Sequence, residues 1–252
     1  MTDTPREAGV LDAVVSLVDS LLDDFDIVDL LTGLTERCAE LLDVEAAGIL
    51  LADPLNQLHL LAATSEQARE LELFQLVADD GPCLDCYATG RRVSVADLRN
   101  ESDRWPRFVP AAIGAGFASV HAVPMRAAGR VLGALGLFGA RPGELTEADL
   151  LVGQTLTHVA CVAILQEHPP TPVTVLPQLR SALTNRVVVE QAKGLLREML
   201  DISLEEAFAL LRTYARASGE HLTSVARRLM TDRYSRMLLV GEFAEILSAP
   251  EQ

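Results

Sequence analysis

Four prolines crowd into eleven residues at "EHPPTPVTVLP", residues 167–177. Proline fixes φ and lacks a donor N–H, so a helix is not expected to run through such a stretch. The segment reads as an extended, semi-rigid connector. It cuts a chain of 252 residues, long enough for about two domains, and the charge divides at the same place. Residues 1–175 carry 11 arginines against 26 acids, whereas residues 176–240 carry 10 basic residues against 7 acids. The net charge of −15 therefore belongs to the first part. Spread evenly it would argue against nucleic acid; confined as it is, it directs the search for a sensor and for a partner to separate halves.

Composition adds a few bounds. Apolar residues at 49% and charged ones at 23% are ordinary for a globular chain. No apolar run approaches the roughly 20 residues needed to span a bilayer, so no membrane partner is expected. The start, "MTDTPREAGVLDA", lacks the basic and apolar regions of a secretion signal, and the expected location is cytoplasmic. There Cys38, Cys83, Cys86 and Cys161 are expected as reduced thiols.

Before the connector the pattern runs from helices to strands to a helix. Ile27, Leu30, Leu31, Leu34, Cys38, Leu41 and Leu42 recur at helical spacing and make one apolar stripe. "EAAGILLADPLNQLHLLAAT" reads as two strands around a turn at Asp53, Pro54 and Asn56; "RVSVAD" is a short strand; 119–125 and 130–138 form a second hairpin with Gly129 near its turn. "TEAD", 146–149, has the form of a capping box between Leu145 and Leu150, opening a helix that ends near Gln166. Taken with "GPCLDCYATG", "RWPRF" and "VPMRAAGRVLGALGLF", this order resembles a GAF domain over roughly residues 10–167. The resemblance implies a small sensor module built on a central antiparallel sheet. It also implies a small-molecule ligand, whose chemistry these residues do not reveal; no cofactor is assigned.

Beyond the connector three helices and no strands are expected. Val188, Ala192, Leu195 and Met199 share one face of the first, expected to be buried; Arg186, Glu190, Lys193 and Arg197 line another. "SLEE", 203–206, is a second capping box. It opens a helix with Leu204, Ala207, Phe208, Leu211 and Ala215 inward, Arg212 and Arg216 outward and Gly219 as its stop. A third helix begins near Thr223, with Arg227 and Arg228 outward.

Lys193 is the only lysine of the chain, and it precedes a mid-helix glycine. Such a glycine costs about 1 kcal/mol relative to alanine. It is expected where a side chain would obstruct another backbone, either a neighbouring helix or a phosphate chain. A lysine beside it offers phosphate a compact charge on a flexible stem. The bland alternative is close helix packing for Gly194 and a pairing with Glu190 or Glu198 for Lys193.

"NRVVVEQAKGLL", "SLEEAFALLRTYARASG" and "HLTSVARRLM" together resemble an ANTAR domain, the three-helix RNA-binding module of transcription antitermination regulators. Arg186, Glu190, Lys193, Gly194, Phe208 and Arg212 fall on the pattern, while Ser218-Gly219-Glu220 departs from it. The resemblance implies binding to tandem stem-loops in leader RNA. The RNA-binding candidates are Arg186, Glu190, Lys193, Gly194, Arg197, Arg212 and Arg216, with Tyr214 and Tyr234 as candidates for base stacking.

Cys83, Cys86 and His121 are the candidate sensor residues. Zinc is not expected, because Cys83-x-x-Cys86 has no second pair to complete four ligands. A redox pair is a weaker alternative to plain packing, and His121 reads as a core histidine of an apolar strand.

The expected fold is α+β: a GAF-like domain with a central antiparallel sheet flanked by helices over 8–167, a linker over 168–177, and an all-α three-helix ANTAR domain over 178–240. The expected function is signal-responsive antitermination through stem-loop RNA, by a homodimer formed through the helices flanking the sheet. A helix-turn-helix DNA-binding regulator is the alternative. No nucleophile elbow, phosphate-binding loop or kinase signature appears, so an enzyme is not expected.

Overall fold

Helix-starting side chains and tight turns divide the first part of the chain where the sequence pattern says they should. The computed structural model describes residues 4–22, 26–165, 172–231 and 233–248. These fall into two units, Met1–Ser181 and Ala182–Gln252.

In the first unit, α1 (Thr4–Leu22) precedes α2 (Ile27–Leu41), which starts where the Asp26 carboxylate accepts from the Val28 and Asp29 amides. The strands are β1 (Ala46–Ala52), β2 (Leu58–Ala63), β3 (Val93–Val95), β4 (Ser119–Ala127) and β5 (Arg130–Gly139). They form one antiparallel sheet in the order β2-β1-β5-β4-β3. Asp53 closes the first hairpin by accepting from the Leu55 and Gln57 amides, with Asn56 left-handed at φ 61°. Ala128 and Gly129 turn the second, both at positive φ, which matches the twist of paired strands.

All seven residues of β1 are buried, because helices cover both faces of the sheet. On one face lie α2 and α6 (Glu147–Leu165), the latter opened by Thr146 and Asp149 exchanging cap hydrogen bonds. On the other lie α3 (Glu66–Ala78), α4 (Pro82–Thr89), a 3-10 turn (Leu98–Glu101) and α5 (Phe108–Gly114). Sequence periodicity does not resolve that second layer. Trp105 belongs to it, buried edge-on to Phe108 with the Arg104 guanidinium 4.2 Å above its ring.

Contrary to the expectation from hydropathy, α6 is long and apolar enough, by length and composition alone, to cross a membrane. Over half of its apolar window is buried, against β4, α2 and α1, and that accounts for its composition.

The chain from Pro172 onward corrects two expectations. The connector expected as extended over 168–177 is helical from Pro172, the start of α7 (Pro172–Leu200); residues 168–171 lie outside the described ones. Pro172 takes the first helical position, where an amide has no partner to lose and φ is already set. The tail also has a fourth helix. After α8 (Leu204–Ser218) and α9 (Leu222–Thr231) comes α10 (Arg233–Ser248). Its Leu239 and Phe243 are buried, and Arg236 donates to the Leu229 and Met230 carbonyls at the end of α9. The "SLEE" box and the Gly219 stop are present as read: Ser203 and Glu206 exchange hydrogen bonds, and Gly219 is left-handed at φ 68°.

Candidate functional site

Helix α7 is rotated from the orientation its apolar pattern suggests. Val189, Ala192 and Leu196 are buried, whereas Val188 and Leu195 are half-buried and Met199 is 45% exposed. Valine and leucine occur on more than one side of this helix, so spacing alone does not fix the buried side to within one residue.

The rotation turns two candidate cations inward. Arg186 and Lys193 are each only 8% exposed, and both reach the carboxylate of Glu190. Lys193 Nζ is 3.0 Å from Glu190 Oε1 and 5.5 Å from the centre of the Phe208 ring on α8. Their long apolar stems account for the burial of formally charged residues. The sequence places Arg186, Glu190, Lys193 and Arg197 in one line; the structure leaves only Arg197 of these exposed.

Gly194 is exposed, and a Cβ built on it meets nothing within 4 Å. Close packing against another described helix of this chain therefore does not explain the glycine. Arg216 is exposed and Arg212 half-buried on α8. On α9, Arg227 donates to Asn185 Oδ1 at 3.3 Å, and Arg228 grips both oxygens of Glu220 at 2.7 Å. Tyr214 is not open for stacking: its hydroxyl donates to Glu242 at 2.6 Å and its ring meets Phe243 edge-on at 5.1 Å. The Tyr234 side chain lies outside the described ones.

In the first unit, Cys83 and Cys86 are fully buried free thiols on α4. Burial pushes Cys86 up to about 12 and Cys83 well above the ordinary thiol range, so neither is a ready nucleophile at neutral pH. His121 is buried on β4 with Nδ1 2.6 Å from Ser94 Oγ; burial lowers its pKa, with the Gly143 backbone opposing. It is a satisfied core histidine. Among the described residues no three His, Cys, Asp or Glu side chains gather to hold a metal.

Sequence reasoning missed the most unusual group in this unit. Glu72 of α3 is fully buried, and burial raises its carboxyl to about 8. Gln75 donates to Glu72 Oε2 through Nε2 and accepts the Cys83 amide through Oε1 at 3.1 Å, while Cys83 Sγ lies 3.6 Å from Glu72 Oε1. The signal was available: Glu72 and Gln75 sit on the stripe of Ala68, Leu71 and Ala78, which points inward.

A family model described as GAF domain matches residues 26–165, and one described as ANTAR domain matches residues 177–230. No curated protein matches the chain. Solved structures with the same sensor fold include the GAF domain from Acinetobacter phosphoenolpyruvate-protein phosphotransferase, at 18% identity and TM-score 0.51, covering 67% of this chain and 96% of that one. The corresponding GAF domain from Coxiella burnetii aligns at 14% identity and TM-score 0.51, covering 63% and 94%.

Proposed function

The chain belongs to the GAF domain family and carries an ANTAR domain behind that sensor; from this premise we propose that it is a signal-controlled antitermination regulator whose tail binds stem-loop leader RNA. It acts without catalysis of its own, in the cytoplasm. The observation that carries the reading is Gly194. A residue that weakens its own helix, with no described part of the chain packed on it, is accounted for by close approach of an outside backbone. Arg197 on α7 and Arg216 on α8 are exposed cations, with Arg212 half-buried one turn before Arg216. Lys193 and Arg186 take a different part from the one their spacing suggests: they hold Glu190 and orient α7, and Lys193 would reach phosphate only by leaving that carboxylate.

The GAF half supplies the control, through a small ligand or another signal. Leu11, Val15 and Val18 on α1 and Leu151 and Val162 on α6 are exposed apolar residues of that unit. They support a homodimer formed through those helices.

Binding of the full chain to tandem-hairpin RNA, against a DNA duplex of matched length, tests the reading. Tight hairpin binding that weakens with salt and on joint Arg197→Ala and Arg216→Ala substitution is the expected result. Preference for the duplex, or indifference to every hairpin at low ionic strength, overturns it.

A further inference from the structure

Gly48 on β1 and Gly136 on β5 are direct partners in the sheet, and together they leave a bare patch on the two central strands. The Glu72 carboxyl fills it. A Cβ on Gly136 would come within 2.5 Å of Glu72 Oε1, and one on Gly48 within 2.9 Å. The vacancy is thus shaped to the acid, and a side chain in either strand position would force the carboxyl to shift. Through Gln75 the same group is tied to the Cys83 amide, at the start of α4.

We propose that Glu72 is a proton-operated latch of the sensor domain. As a neutral acid it fastens the inner face of α3 and the first turn of α4 to the central strands; ionised, it is driven from the niche and loosens both.

The contacts suit the neutral form. With the proton on Oε1, that oxygen faces the Cys83 sulfur, and Oε2 accepts from the Gln75 amide. Among the described residues no counter-charge acts on the ionised form. From α4 the titratable groups facing the niche are Cys83 and, next to it, Cys86, whose own charged neighbours are Arg126 and Asp85. From β1 and β5 it is faced by Gly48 and Gly136, with the Phe138 ring beside them, and none of these titrates. On α3 the nearest cation in sequence, Arg69, pairs with Glu66 at 2.9 Å. A buried carboxylate with one amide and one weak thiol donor is far more costly than its protonated form. The input such a device answers is an alkaline shift. The proposal is independent of what the tail binds, and failure of RNA binding would leave it standing.

The test uses the full chain and its Glu72→Gln variant, an amide of the same shape that cannot ionise. Hydrogen-exchange protection of residues 68–88 is followed from about pH 6 to about pH 9.5. In the wild-type protein, protection is expected to fall by up to about tenfold per pH unit as pH rises towards about 8 and then to level off, and in Glu72→Gln to stay level throughout. Infrared difference spectroscopy of the wild-type chain, with labelled glutamate, reads the acid itself and needs no variant to fold. A protonated carboxyl persisting at neutral pH is expected. Glu72 ionised at about pH 6, or protection that declines equally in both proteins, overturns the proposal.

Discussion

Lys193 Nζ lies 3.0 Å from Glu190 Oε1, in a side chain that leaves only a tenth of its surface to solvent. The chain's single lysine is therefore a member of the α7 packing surface, and its stem contributes as well as its charge. Lys193→Ala should cost about 1–2 kcal/mol, and Lys193→Met, which keeps the stem, distinctly less. Urea denaturation followed by helical circular dichroism reads both; equal stability of all three proteins would confine the lysine to an outside contact.

Gly194→Ala should act in opposite directions on fold and partner. No described atom obstructs the new methyl, so α7 should gain about 0.5–1 kcal/mol. Affinity for hairpin RNA should fall, since the methyl stands where the other backbone is expected. A variant that gains stability and binds unchanged would leave the glycine without a binding role.

Glu72 makes the sensor domain less stable as pH rises. Its folded-state carboxyl titrates at about 8, above the ordinary value of 4.5. The folded form therefore keeps a proton that the unfolded form loses, and its contribution is whole below 4.5 and disappears as pH climbs through about 8. The slope approaches about 1.4 kcal/mol per pH unit within that window. His121, lowered by burial, pulls the opposite way near the acid end. Subtracting the Glu72→Gln melting profile from the wild-type profile isolates the carboxyl.

Phe243→Ala should cost about 3–4 kcal/mol in the tail unit, because the ring is fully buried against Tyr214. Ending the chain after Thr231 should cost more still. It removes Leu239 and Phe243 together with Arg236, which satisfies the last carbonyls of α9. Chemical denaturation of the two proteins, compared by their midpoints, measures this order.

Cys83 and Cys86 should resist alkylation in the native protein. Both are fully buried and held as neutral thiols. Labelling at the rate of global unfolding is the expected result, followed by mass spectrometry; rapid native labelling of either would restore a redox role.

The two hairpins were legible because a strand's period is short and its turns are chemically marked, as at Asp53, Asn56 and Gly129. The caps at Thr146 and Ser203 were legible for the same reason, since each is a local hydrogen-bonding pattern. Three features were not. The side of α7 that faces inward depends on α8, and nothing in its own residues distinguishes Val188 from Val189. The helix after Pro172 was hidden because that proline is harmless at the first helical position, whereas Pro177, inside α7, argues against a helix that forms nonetheless. The niche of Glu72 was hidden, although its place on the inward stripe of α3 was not, because Gly48 and Gly136 are remote in sequence and meet only when β1 pairs with β5.

That remoteness has a consequence for how such a sensor can diverge. Positions 48, 72 and 136 are sterically coupled: a larger residue on either strand meets the Glu72 side chain where it now lies, and a shorter one on the helix leaves a void. Chains descended from a common ancestor should therefore exchange the acid and its two bare neighbours as a set, and a relative with a bulky residue at either strand site should have lost the carboxyl too.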